Sequence, residues 1–469
     1  MYKNITKSEF VFLSFVIVVF ISLLIPFLKL IPYLDGNIDF VKTYDFFSGG
    51  FDTLLKNWRS IHPPTKEFIF LFIYKLFGVN VVTYNLPGII FGVIGINYFY
   101  FFAKKISNVK VAKISTSLFA FSPLFISTGL FFLTDYLLTI LIIISLYYYV
   151  KGNYLKYAIA SSFTVLTKES SLLLVISILF VEVVLFLRNI LKRNVILIKK
   201  FIFFLFPIFI FFLWFLFLKS YNKPLWSDWN FSGKNNLLST LISNVFSLKL
   251  LNKYAYQNWL HLFILNFNWI FWSVIIVGFM AIFKNMLLKK YISINLENNQ
   301  LKVILVILIF FILYFFLILS YQTYTIPRYT LPLLPFVYLI FSFFLWKLLH
   351  NYRYFNKIIF TLLLIFIPIT LFASDDPLSK FLWGKEDILG EEIYNLRNHL
   401  SGNDGITYNF QYLLITKKRD NLIKQAVYEN GTVKSSECFV IFADPRNDIK
   451  TISILGLNIN QNMLCDNKF

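Results

Sequence analysis

The stretch LDGNIDFVKTYDFFSGGFDTLLKNWRSIHPP, residues 34–64, gathers Asp35, Asp39, Asp45, Asp52, Arg59, His62 and a Pro-Pro pair in an otherwise apolar chain. Farther along, single ionisable residues interrupt apolar runs: Asp135 in FFLTDYLLTIL, Lys168 and Glu169 in VLTKESSLL, and Arg328 in TIPRYTLPLLPF. A carboxylate can remove a proton from an attacking hydroxyl. Arg can grip an anionic oxygen pair through two parallel bonds, and Lys can hold one as a point charge. Ionisable groups beside an apolar region cost several kcal/mol to bury, which marks them for function. Each also has a bland reading: Asp35, Asp39, Asp45 and Asp52 as solvated loop acids, Asp135 as a helix cap. Lys168 and Glu169 could pair with each other, and Arg328 could reach to an interface.

The elements that position these residues follow from composition. Of 469 residues, 58% are hydrophobic and 14% charged, where a soluble domain carries about 25% charged residues. The chain is therefore a polytopic membrane protein, and the bilayer is its first partner. The net charge of +20 does not point to nucleic acid. Residues 1–373 hold 33 basic and 11 acidic residues, and residues 374–469 hold 11 and 13, so the excess lies in short loops between apolar runs. There it sets topology. GxGxxG, P-loop, GxSxG, HExxH and CxxC patterns are absent, which removes nucleotide, serine-hydrolase and common zinc readings.

A helical span needs about 20 apolar residues. About eleven such runs occur, at 9–31, 84–103, 112–131, 134–150, 157–168, 170–187, 201–218, 263–283, 303–321, 331–348 and 358–373. The fifth and sixth form a short pair or a broken helix, because Lys168–Glu169 interrupts them. With the N-terminus in the cytoplasm, the even-numbered connections carry the lysines and arginines, from Lys104 to Lys357, and one acid, Glu297. This places the C-terminus and the polar loop 32–83 outside. Within that loop, 65–77 is apolar but too short to cross, and with 41–55 it is expected to form surface helices. Pro63 and Pro64 suit a helix start. Residues 1–373 thus form the membrane domain, and 374–469 a small extracytoplasmic α/β domain with a helix at 390–400 and a strand at 438–444. Cys438 and Cys465 lie in it, and their spacing leaves a disulfide open. A second outer loop, 219–262, includes Trp226, Trp229, Trp259 and His261, which read first as interface anchors. All the candidate chemical groups then fall at outer ends of spans.

The order of these motifs resembles the GT-C superfamily of polyprenyl-phosphate-sugar-dependent glycosyltransferases, especially protein O-mannosyltransferases and lipid A aminoarabinose transferases. The likeness covers roughly 9–190 and 320–350. Asp35 stands where the family has an Asp-Glu pair after the first span, followed by Ser48-Gly49-Gly50 and His62-Pro63-Pro64. Asp135, Thr167-Lys168 and Arg328-Tyr329 with Pro332 and Pro335 match the later motifs. Gly36 departs from the family, which has Glu there; Asp39 takes over part of that role or is itself the base. The resemblance implies an enzyme of the cell membrane. It would move a sugar, with inversion, from a polyprenyl- or dolichyl-phosphate carrier to an acceptor hydroxyl of a protein, glycan or lipid on the outer face. It assigns Asp35 or Asp39 as base, Arg328, Lys168, His62 and Tyr329 to the donor phosphate, and Asp135 and Glu169 to ordering the site. Several acids on one side leave room for a divalent metal, but no dense ligand spacing commits to one. A lipid-linked-sugar transporter or flippase, or a non-catalytic scaffold, is the alternative. Transporters show repeats and mid-depth polar clusters that are not evident here.

Overall fold

The computed structural model describes residues 5–29, 35–58, 62–191, 198–223, 271–278, 280, 298–320, 327–350, 353–372, 451–454 and 457–460. Helix α1 (Lys7–Leu24) starts at a capping box in which Thr6 and Glu9 satisfy each other's backbone N–H, and runs into a 3-10 turn, Ile25–Phe27, at Pro26. Then come α2 (Asp35–Asn57), α3 (Thr65–Phe77), α4 (Val81–Ile106), α5 (Val109–Ala120), α6 (Pro123–Leu130), α7 (Thr134–Val150), α8 (Tyr154–Val165) and α9 (Leu172–Leu191). The membrane part closes with α10 (Ile198–Ser220), α11 (Asn298–Ser320), α12 (Leu334–Leu349) and α13 (Phe355–Phe372).

Helix occupies part of each of the eleven expected runs, including 271–278 in the eighth. Six helical stretches are long and apolar enough to cross a bilayer, and seven if α5 and α6, bent by 54°, count as one. The protein is a multi-pass, mostly helical membrane protein. The expected eleven crossings are more than that test reaches: α7 is a shorter apolar helix, and α8 has only 12 residues.

The Lys168–Glu169 interruption is a true break. After α8 the backbone turns extended at Lys168, and a 3-10 turn, Glu169–Ser171, leads into α9. Helices occupy both stretches expected to form surface helices, and neither is among the stretches that could cross. Helix α2 is two helices joined at a kink, with Gly50 at φ 62°, ψ −150°. That backbone region is essentially reserved for glycine. A Cβ at Gly49 would lie 1.8 Å from the Thr53 hydroxyl. The first half of α2 packs on α3, through Phe46–Phe68 and Phe47–Tyr74 ring contacts of 5.3 and 5.7 Å. The second half packs on α10 through Phe51 against Phe217. The start of α3 is pinned to the end of α8, where Thr65 donates its N–H to the Leu166 carbonyl at 2.9 Å and its hydroxyl to Phe163.

Two antiparallel strands, β1 (Thr451–Ile454) and β2 (Leu457–Asn460), pair Thr451 with Asn460. The rest of the expected C-terminal domain lies outside the described residues, with its 390–400 helix, 438–444 strand, Cys438 and Cys465. So do Trp226, Trp229, Trp259 and His261.

Candidate active site

Four chain breaks meet at one end of the bundle: the start of α2, the start of α3, the turn before α7 and the α8–α9 break. The 3-10 segment Pro327–Leu333 before α12 joins them, packed against α6 and α7.

Asp135 stands in the first turn of α7 and is 2% exposed. It is not the cap: the cap position is Leu133, and no side chain bonds there. Lys168 donates to its Oδ1 at 2.6 Å, and the Arg328 Nε lies 3.1 Å from its Oδ2. One buried carboxylate therefore gathers cations from residues 33 and 193 positions away in the chain. The Lys168 ammonium sits 4.5 Å from the centre of the Tyr329 ring, and the Arg328 guanidinium 5.4 Å from it. Glu169, directly after Lys168, turns to another partner: its Oε2 lies 3.1 Å from Nδ1 of His62. The two neighbours are thus not a mutual pair. His62 is the most open member, with 42% of its side chain exposed.

Asp39, in the second turn of α2, accepts from the Lys66 ammonium at 2.5 Å and from the Thr134 hydroxyl at 3.4 Å. Thr134 is the residue before Asp135, so the two carboxylates belong to one cluster. Burial works to raise the Asp39 carboxyl. The charge of Lys66, that of Lys42, the Lys66 hydrogen bond and the charge of Arg328 outweigh it and hold the group below the usual carboxylate range. Lys66 is itself buried, with Tyr84 and Phe132 rings within 6 Å. Phe132 takes a left-handed backbone, φ 44°, in the turn that sets Thr134 and Asp135.

Asp35 opens α2, one helical turn before Asp39; its side chain lies outside the described part. Gly36 leaves no spare room. A Cβ there would meet Phe131 at 3.1 Å, and the Tyr84 hydroxyl donates to the Gly36 carbonyl at 2.8 Å. Asp45 serves structure instead, accepting from Trp58 at 2.8 Å and Asn57 at 3.1 Å.

The structure thus brings Asp39, His62, Asp135, Lys168, Glu169, Arg328 and Tyr329 together. Sequence reasoning missed Lys66 and Glu67. The signal was two adjacent charges, TKE, opening a helix whose next six residues are apolar or aromatic. Glu67 is 6% exposed, and its Oε2 has no hydrogen-bond partner among the described residues. Burial pushes its carboxyl up to about 7; its own backbone N–H opposes this, the charge of Asp39 adds to it, and Lys66 and Lys42 pull back. Among the described residues no three His, Cys, Asp or Glu form a group that could hold a metal.

Residues 61–217 match the family model described as dolichyl-phosphate-mannose-protein mannosyltransferase. The chain resembles the GT-C membrane glycosyltransferases. The matched segment contains His62, Lys66, Glu67, Asp135, Lys168 and Glu169. Asp35, Asp39, Arg328 and Tyr329 lie outside it. Among solved structures, the chain is similar to the crystal structure of ArnT from Cupriavidus metallidurans bound to undecaprenyl phosphate, at 15% identity and a TM-score of 0.46. That match covers 90% of this chain and 72% of the other. No curated protein matches the chain.

Proposed function

We propose that the protein is an inverting glycosyltransferase that moves a sugar from a polyprenyl-phosphate carrier to an acceptor hydroxyl at the outer face of the cell membrane. The observation that carries this reading is the meeting of Lys168 and Arg328 at Asp135, beside the Asp39–Lys66 pair. A sugar on a lipid phosphate already has a good leaving group, so no general acid is required. The departing phosphate gains charge, and fixed cations in a water-poor site stabilise it. Arg328 and Lys168 supply that charge, with Tyr329 beneath them. Asp135 sets their positions before the donor arrives.

The acceptor hydroxyl needs a base as it attacks, a contribution typically worth 10²–10⁴-fold. The first turns of α2 supply it. Asp39 is engaged by Lys66 and Thr134, which suits it to fixing the site, and leaves Asp35, one turn earlier, as the base. A single displacement then inverts the anomeric carbon. His62, steadied by Glu169 and half open to solvent, flanks the donor side. The test is transfer from radiolabelled polyprenyl-phosphate sugars in proteoliposomes. Arg328→Ala and Asp35→Asn are expected to abolish it in protein that stays folded. Wild-type rates in Arg328→Ala would sink the reading, while activity in Asp35→Asn but not in Asp39→Asn moves the base to Asp39.

A further inference from the structure

Helix α6 ends in a Schellman turn. Leu133 donates its N–H to the Thr128 carbonyl at 3.1 Å, and Phe132 donates its own to the Gly129 carbonyl at 3.0 Å. The residue after the cap takes a left-handed backbone in this motif, and it is usually glycine, because a Cβ there crowds the following carbonyl oxygen. Here the position is held by Phe132, at φ 44°. A bulky residue in that region is an outlier, and such strain directs attention to what the side chain does.

The Phe132 ring is fully buried. Its centre lies 5.1 Å from that of Phe91 and 5.6 Å from that of Phe70, and 5.9 Å from the Lys66 ammonium. An ammonium has three donors; among the described residues Lys66 makes one hydrogen bond, to Asp39 Oδ2 at 2.5 Å. Lys66 is also buried, so the negative faces of Phe132 and Tyr84 stand where water would. Two residues after Phe132, the Thr134 hydroxyl donates to the same Asp39 oxygen at 3.4 Å. One strained turn thus reaches the Asp39–Lys66 pair from both sides, with a ring on the cation and a hydroxyl on the carboxylate. We propose that Phe132 is a positioning residue for the transfer, whose ring keeps the Lys66 ammonium on Asp39. This goes beyond the residues assigned above and rests on the transferase reading. Phe132 acts through Lys66 and Asp39 without touching donor or acceptor. The competing reading is a core aromatic that only fills space among Phe70, Phe91 and Tyr136.

Mono-, di- and trifluorinated phenylalanine at position 132 of the full chain separate the two. Fluorine drains the negative face of the ring stepwise while nearly keeping its shape, and it leaves the backbone turn alone. Along the series, kcat for transfer from radiolabelled polyprenyl-phosphate sugars should fall in steps, on the order of 10-fold in all, the scale of a desolvated cation–ring contact. KM for the donor should stay unchanged. Phe132→Gly suits the left-handed turn but has no ring, and it should lose at least as much. Thermal midpoints supply a measurement without turnover. They should fall along the series in the wild-type background and stay level in Lys66→Met, where no cation faces the ring. Equal slopes in the two backgrounds overturn the proposal, whatever the activity. So does a kcat that ignores fluorination, or Phe132→Gly at the wild-type rate. If the slopes differ as expected while the wild type transfers no lipid-phosphate sugar, the ring contact stands, but the transferase reading fails and the positioning role with it.

Discussion

The two ends of the helical bundle use the same residue types in different ways. At the end opposite the site, Glu9 in the first turn of α1 meets Lys104 in the last turn of α4 at 2.5 Å and accepts from the Tyr100 hydroxyl at 2.7 Å. Glu182 of α9 pairs with Lys302 of α11 and accepts from Tyr149 at 2.8 Å. Each carboxylate there has one ammonium and one phenol: the set is closed, and it ties helices together. At the site end the arrangement is open. Asp135 holds two cations at once, the His62 side chain is 42% exposed, and one Glu67 oxygen has no partner among the described residues. A polar group that serves only the fold is satisfied at little excess. Groups that must bind something in turn keep spare capacity.

Mutations at the two ends should therefore separate function from stability. The largest effect belongs to the double variant Lys168→Ala, Arg328→Ala. With both cations proposed to hold the phosphate gone, kcat/KM per folded molecule should fall by about 10³-fold or more; Asp135, 2% exposed, is left without a counter-charge, so the thermal midpoint in detergent should drop as well. Glu182→Gln should cost stability alone. Leaving Lys302 without its counter-charge should cost about 3 kcal/mol of stability, read as a lower thermal midpoint, with the rate per folded molecule unchanged. If Glu182→Gln abolished transfer in folded protein, the contrast between the ends would fail.

Next in size is Gly50→Ala. Its backbone conformation costs a residue with a side chain about 1–3 kcal/mol, so α2 should lose its kink or the protein part of its stability. Limited proteolysis at residues 48–52 reads this directly.

The smallest effects lie in pH dependence, and two neighbours should show opposite signs. The Asp39 carboxyl is held low, so its contribution to stability is present above the ordinary carboxylate value of 3.8 and is lost as pH falls through its lowered one. The Glu67 carboxyl is raised from 4.5 to about 7, so its contribution is complete below 4.5 and is lost as pH rises through about 7. Thermal midpoints measured against pH should flatten on the acid side in Asp39→Asn and between about 4.5 and 7 in Glu67→Gln.

Much of this was legible in the chain. Asp135, Lys168 and Arg328 stood out because each breaks an apolar run, and burial forces such groups to find partners. The helix at 65–77 was legible because that apolar run follows Pro-Pro, and its failure to span because it is too short. Lys66 and Glu67 were not, because adjacent opposite charges at a helix start look like an ordinary solvated pair. Only the packing of α3 beneath α2 turns them inward. That Lys168 and Glu169 part company was also invisible, since it depends on the 3-10 turn at Glu169–Ser171. The eleven-crossing count comes from apolar run lengths and is checked against loop charges, which report sidedness but not where a helix such as α8 stops.

The double grip of Asp135 bears on how a reaction cycle would end. A spent lipid phosphate keeps its full negative charge, and a pocket of bare cations would retain it as a tight-binding product inhibitor. Here an internal rival for Lys168 and Arg328 is always at hand. In the proposed cycle the carboxylate would reclaim them as the carrier shifts, leaving the trio with one net positive charge instead of two bare cations when the next loaded lipid arrives.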